Sequence, residues 1–76
     1  MVVDFYVPTV KDVLNSMDQV ELEAINYLID SAYHPELRED TKTIFIYASV
    51  LHNMSYTKQK VAYYLIGKAC DITGVI

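Results

Sequence analysis

A chain of 76 residues is long enough for one domain, so residues 1–76 are expected to fold as a single unit. Its longest apolar run, residues 44–51, is about half the length that a membrane-spanning helix requires. The net charge of −4 argues against nucleic-acid binding as the main role, since nucleic-acid-binding domains are usually basic. The lone Cys70 suits a reducing compartment and residues 1–5 lack the basic start of a signal peptide, so we expect a soluble cytoplasmic protein.

The first predicted elements lie before residue 18. Residues 1–7 are apolar and β-prone and Pro8 ends them, so they predict a short strand or an extended arm. Thr9 is a residue type that caps helix N-termini. A short helix is therefore expected from residue 10 to about residue 17.

The clearest helix signal covers residues 19–33. Asp18 and Glu21 have the three-residue spacing of a capping box, with aspartate in place of serine or threonine. The helix ends at His34, because a residue before proline avoids the helical region of backbone space. Apolar residues recur at helical spacing and predict a stripe that faces the core, made by Leu22, Ile25, Leu28, Ile29 and Ala32.

The third element is expected to be a helix over residues 36–53, with Pro35 in its first turn. Residues 43–50 are β-branched and aromatic, so a strand there, paired with residues 2–7, is the alternative and would make the fold α+β. The helix is favoured because the run continues to Met54 without a turn residue.

The last helix is expected over residues 56–72, with Ser55 as its N-cap and Gly74 as its C-terminal stop. Its predicted inner stripe consists of Val61, Ala62, Leu65, Ile66, Ala69 and Ile72. Together these elements predict an all-α fold, a compact small bundle of three main helices and a short N-terminal helix.

The two halves of the chain carry opposite charge. Residues 1–40 have nine acidic and two basic side chains, a net charge of −7, whereas residues 41–76 have four lysines and one aspartate, a net charge of +3. Three explanations fit this split. The halves neutralise each other within one fold, they pair between two chains, or the basic half binds an anionic partner. The residues predicted to bind a partner are Glu23, Tyr27 and Asp30 on one helix and Lys60, Tyr64 and Lys68 on another, the last three as exposed neighbours at four-residue steps.

Self-association is expected because small domains often need a disulfide, a metal or a partner chain for stability. The lone Cys70 cannot form an internal disulfide. A helix over residues 44–51 is apolar on all sides, so it has more apolar surface than two neighbouring helices can cover. We therefore predict a homo-oligomer with an interface at Phe45, Ile46 and Val50.

No arrangement of residues indicates catalysis or metal binding. The candidate metal ligands His34, His52 and Cys70 lie on different predicted elements, without the pairwise spacing of a metal site. The only glycines, Gly67 and Gly74, cannot form a phosphate-binding loop, and the carboxylates fall on helix faces. We therefore expect no enzymatic activity, no metal and no cofactor.

These observations favour a small regulatory or inhibitory protein that acts by binding another protein. The alternative is a nucleic-acid-binding regulator, because residues 43–52, a turn at 53–55 and residues 57–68 could form a helix-turn-helix unit. Its phosphate contacts would be Lys58, Lys60 and Lys68, with Tyr64 alongside. The composition, rich in Ile, Tyr, Asp and Lys and poor in Gly and Pro, also matches small phage or plasmid regulators, an association by composition alone.

Overall fold

The computed structural model describes residues 9–74, and all regular structure in that range is helical. The elements in chain order are α1 (Val10–Asn15), α2 (Gln19–Tyr33), α3 (Pro35–Arg38), α4 (Thr41–His52) and α5 (Tyr56–Thr73). The predicted all-α fold is confirmed. Residues 43–50 lie inside α4, so the alternative strand at that position is wrong, and the other strand of that alternative, at residues 2–7, lies outside the described residues.

Local side-chain caps begin the first two helices at the positions that the sequence predicts. The Thr9 hydroxyl accepts the Asp12 N–H at 3.1 Å, and the Asp12 carboxylate accepts the Thr9 N–H at 3.3 Å. Asp18 and Glu21 make the same reciprocal pair at 2.8 and 3.0 Å. Each box supplies partners for backbone N–H groups that the first turn of a helix leaves free.

α1 ends two residues earlier than predicted, where the side chain of Ser16 bonds to a backbone carbonyl of the last turn. The Ser16 hydroxyl donates to the Val13 carbonyl at 2.6 Å, and the Met17 N–H bonds to Leu14 instead of continuing the helical ladder. Serine side chains commonly end helices by such local bonds. The chain then turns and buries the side chain of Met17 in the core.

The helix predicted over residues 36–53 is two helices, and this part of the prediction is wrong. α3 ends at Arg38, and α4 starts after Asp40, whose backbone leaves the helical region. The Asp40 carboxylate accepts the Thr43 N–H at 3.1 Å and the Thr43 hydroxyl at 2.7 Å, so Asp40 is an N-cap. An aspartate favours this capping geometry over a position inside a helix, which explains the break.

Arg38, the last residue of α3, caps the C-terminal end of α2. Its Nη1 donates to the carbonyls of Ser31 and Ala32 at 3.0 and 3.4 Å. The last turn of α2 has no basic residue of its own, and its free carbonyls carry the negative end of the helix dipole. The guanidinium therefore satisfies that end from the next element along the chain.

α2 is the central helix of the core. It packs against α4 and α5 and contacts α3, whereas α1 packs against α5. The residues Ala24 and Ala62 have no exposed surface, and their small side chains leave room for helices to approach closely. The buried core cluster consists of Val13, Met17, Ala24, Ile25, Leu51, Met54 and Ala62.

The two predicted core stripes agree with the observed burial, except at one position. On α2 all five stripe residues are buried or pack against the core, and on α5 the same holds for Val61, Ala62, Leu65 and Ile66, with Ala69 also buried. Ile72 is 72% exposed, so its assignment to the core is wrong. Its direction on α5 is that of the stripe, but no described element covers the last turn.

Candidate protein-binding surfaces

The outer side of α4 carries two adjacent apolar side chains that no other part of residues 9–74 covers. Phe45 is 70% exposed and Ile46 is 57% exposed, and together we call them the α4 patch. Lys42 and Ser49, one helical turn to either side, are exposed and form a polar rim. An apolar centre with a polar rim is the usual composition of a protein interface.

The remaining apolar residues of α4 face inward or lie at its sides. Leu51 is buried, and Tyr47 and Val50 are half-buried against the core. The described residues therefore cover α4 on one side only, and part of the apolar surface of residues 44–51 is left exposed. The structure brings Phe45 and Ile46 together on one surface but does not place Val50 with them.

The predicted acidic surface on α2 divides into exposed and internal residues. Glu23 and Asp30 are exposed, and Glu23 accepts a hydrogen bond from Gln19 at 3.2 Å. Tyr27 is half-buried, its hydroxyl donates to the Leu37 carbonyl at 3.3 Å, and its ring lies 5.1 Å from that of Tyr47. These contacts show that Tyr27 packs within the fold. Its role in partner binding stays a prediction.

The environment of Tyr27 also changes its acidity. Burial raises the pKa of the Tyr27 phenol above 10.0, and the nearby Asp40 carboxylate and Tyr47 add to the rise. All three effects disfavour the charged phenolate. Tyr27 therefore remains a neutral hydrogen-bond donor at physiological pH.

The outer side of α5 is aromatic and basic. The exposed aromatic and charged residues on this side, called the α5 face below, are Tyr56, Lys60, Tyr63, Tyr64, Lys68 and Asp71. The Lys60 ammonium lies 5.4 Å from the centre of the Tyr56 ring, and the Lys68 ammonium lies 5.8 Å from that of Tyr64. The predicted exposure of Lys60, Tyr64 and Lys68 as neighbours is confirmed, and their role in binding stays a prediction.

A shallow groove of about 270 Å³ runs along the α5 face where α1 meets α5. It is open to solvent and its lining is almost wholly apolar, formed by Val10, Lys60, Val61 and Tyr64. Lys60 contributes its aliphatic stem to such a lining, while its charged end reaches water. The sequence does not indicate Val10 as a groove residue, because the pattern of a six-residue helix does not show which other helix Val10 contacts.

Lys58 differs from the other lysines of α5 because it is paired. Its ammonium lies 3.0 Å from Oε1 of Glu21, the same oxygen that accepts the Asp18 N–H, and both side chains are largely shielded from water. At this point the acidic and basic halves neutralise each other within one chain. Lys58 is thus held away from the phosphate-binding role that the nucleic-acid alternative gives it.

The candidate metal ligands stay apart. His34 is exposed and lies 3.5 Å from Glu36, His52 is exposed at the end of α4, and Cys70 is a half-buried free thiol. Residues 9–74 contain no group of three histidine, cysteine or carboxylate side chains that could hold a metal ion.

The same described residues include no helix with the length and apolarity needed to cross a membrane. Comparison with known protein families finds no match, and comparisons with curated proteins and with solved structures find none either.

Proposed function

We propose that the chain is a small regulatory or inhibitory protein that works as a homo-oligomer and binds another protein through the α4 patch, the surface that the sequence alone assigns to self-association. The observation that carries the proposal is the exposure of Phe45 and Ile46 side by side at the centre of α4. Covering their exposed parts would contribute roughly 2–4 kcal/mol, because full burial of such a side chain is worth about 1.5–3 kcal/mol. A few well-buried side chains at the centre of an interface usually supply most of its binding energy, and this pair could be among them.

The partner is a protein that offers an apolar recess with polar surroundings. Phe45 fills such a recess, and Lys42 and Ser49 meet its edge. The acidic residues Glu23 and Asp30 lie on another helix and would favour a partner with basic surface nearby.

The test replaces both patch residues, as Phe45→Asp with Ile46→Asp. Both side chains are exposed, so the thermal unfolding midpoint should change little while binding is lost. The matched control is Val20→Asp, since Val20 is an exposed apolar residue, 54% accessible, on α2. Each variant is used to capture proteins from a nuclease-treated host lysate. We expect the wild type and the control, but not the double variant, to capture the partner. That protein is then purified, and its direct binding is measured by calorimetry.

Two outcomes would contradict the proposal. One is a captured protein whose affinity is the same for the double variant and the wild type. The other is capture that depends on nucleic acid, together with an electrophoretic shift of mixed-sequence DNA or RNA that Lys60→Ala with Lys68→Ala abolishes. The second result would favour the nucleic-acid alternative, which the pairing of Lys58 to Glu21 weakens.

A further inference from the structure

Nothing in residues 9–74 of a single chain explains why position 67 is a glycine. Glycine in the middle of a helix is less favourable than alanine, so such a position usually has a reason in packing or backbone shape. A methyl group added at Gly67 would meet nothing within 4 Å, and the only described glycine with a positive φ angle is Gly74. Neither close packing nor backbone conformation within residues 9–74 therefore requires a glycine here.

The surroundings of Gly67 have the spacing of a helix-pairing surface. Lys60, Tyr64, Gly67 and Asp71 follow one another at intervals of four, three and four residues, which is the spacing of paired helices. We call these four residues the α5 seam. By helical geometry Ala62 and Ala69, which are buried, lie on the opposite side of α5, so the seam points away from the fold.

We infer that the α5 seam binds the α5 seam of a second copy of this chain, with the two helices antiparallel. In one register Tyr64 of each copy lies opposite Gly67 of the other, because 64 and 67 are equally far from the centre of the pair. The same register places Lys60 of each copy opposite Asp71 of the other. Each aromatic ring thus meets a position without a side chain, and each positive charge meets a negative one.

Charge selects this antiparallel arrangement over a parallel pairing of the same surface. A parallel pair would place Lys60 against Lys60 and Asp71 against Asp71, and both contacts are repulsive because the charges are alike. The antiparallel pair repeats each favourable contact twice about a two-fold axis, as a closed homodimer requires. Asp71 is also the only acidic residue of 41–76, and among the described residues it makes no ion pair.

The groove beside α5 adds to the contact. Lys60 and Tyr64 belong both to the seam and to the groove, so a partner helix on the seam also covers Val10 and Val61. The paired segment is short, about 16 Å along the helix axis from Lys60 to Asp71. The dimer is therefore expected to dissociate in the micromolar range.

The inference refines the assembly part of the proposed function and is tested by charge reversal. Lys60→Glu and Asp71→Lys are each expected to weaken the dimer about tenfold, and the double variant is expected to restore it. Within one chain these residues are eleven positions apart and cannot meet, so restoration requires contact between copies. The control is Lys42→Glu, which changes the charge equally on exposed α4 and should leave the dimer intact.

The dissociation constants are measured by sedimentation equilibrium of the full chain from about 1 µM to about 1 mM protein. Gly67→Gln tests the centre of the seam: a Cβ at this position meets nothing within 4 Å, and glutamine favours a helix more than glycine does, so the thermal midpoint of the monomer should not fall while the dimer is lost. A monomer mass at every concentration, or a double charge variant no tighter than the single variants, would overturn the inference. Phe45 and Ile46 test the alternative site. If changing them abolishes the dimer while Lys60→Glu has no effect, self-association lies at the α4 patch and the inference is also overturned.

Discussion

Replacement of Leu51 by alanine should remove a large part of the stability of this protein. Leu51 is 1% exposed and is the one large side chain among the described residues that is essentially fully buried. A buried leucine-to-alanine change costs about 2–5 kcal/mol, through lost burial and the cavity that remains. A chain of this length has a free energy of unfolding of about 4–11 kcal/mol. The change should therefore lower the thermal midpoint by about 12–30 °C, because 1 kcal/mol corresponds to about 6 °C for a chain of this length.

Two control variants make the result specific. Leu51→Met keeps the volume and should cost less than about 1.5 kcal/mol. Ile72→Ala removes a similar side chain from a position that is 72% exposed, and it should change the free energy of unfolding by no more than about 0.5 kcal/mol. Urea unfolding followed by circular dichroism, at one fixed protein concentration, gives all three values. An equal loss for Ile72→Ala and Leu51→Ala would show that the last turn of α5 is packed and would refute this description of the core.

Three further predictions concern polar contacts. Lys58→Met should destabilise the fold by about 1 kcal/mol, and a double-mutant cycle with Glu21→Gln in urea unfolding should show coupling between them; independent effects would mean that the pair contributes nothing. Arg38→Gln should lower stability by roughly 1 kcal/mol in thermal melts, because the end of α2 loses its charged donor, whereas unchanged melting would indicate that water replaces it. Bonds from Thr43 lower the pKa of Asp40 below 3.8, so its carboxylate stabilises the fold above about pH 4 and the effect is lost as the pH falls through the lower folded value. Asp40→Asn keeps an N-cap but has no carboxyl group to titrate. The difference in the free energy of unfolding between wild type and variant should therefore shrink towards about pH 2. A difference that stays constant with pH would contradict the lowered pKa of Asp40.

The two proposed surfaces lie on different helices that touch each other little. α2 packs against both α4 and α5, so these two helices are joined mainly through α2. A dimer joined through the α5 seam would leave both α4 patches free and present two target sites. Two linked sites increase the apparent affinity for a target that is itself a dimer.

Local structure is the part that the sequence determined by itself. The caps at Thr9, Asp18 and Ser55 and the stop at Gly74 lie where their residue types predict. These signals involve residues three or four positions apart, so they depend little on the rest of the chain. The position of Lys60, Tyr64 and Lys68 on one side of α5 likewise follows from helical spacing alone.

Tertiary structure decided which side of each helix is covered. An apolar run such as residues 44–51 has no polar side to mark its orientation, so only the position of α2 shows that Phe45 and Ile46 face outward. The pairing of Lys58 with Glu21 joins residues 37 positions apart, and no local pattern predicts it. Ile72 follows the spacing of a core residue and is exposed because no described element lies against the last turn of α5. Burial depends on the neighbour that a side chain meets, and that neighbour is set by how the helices pack.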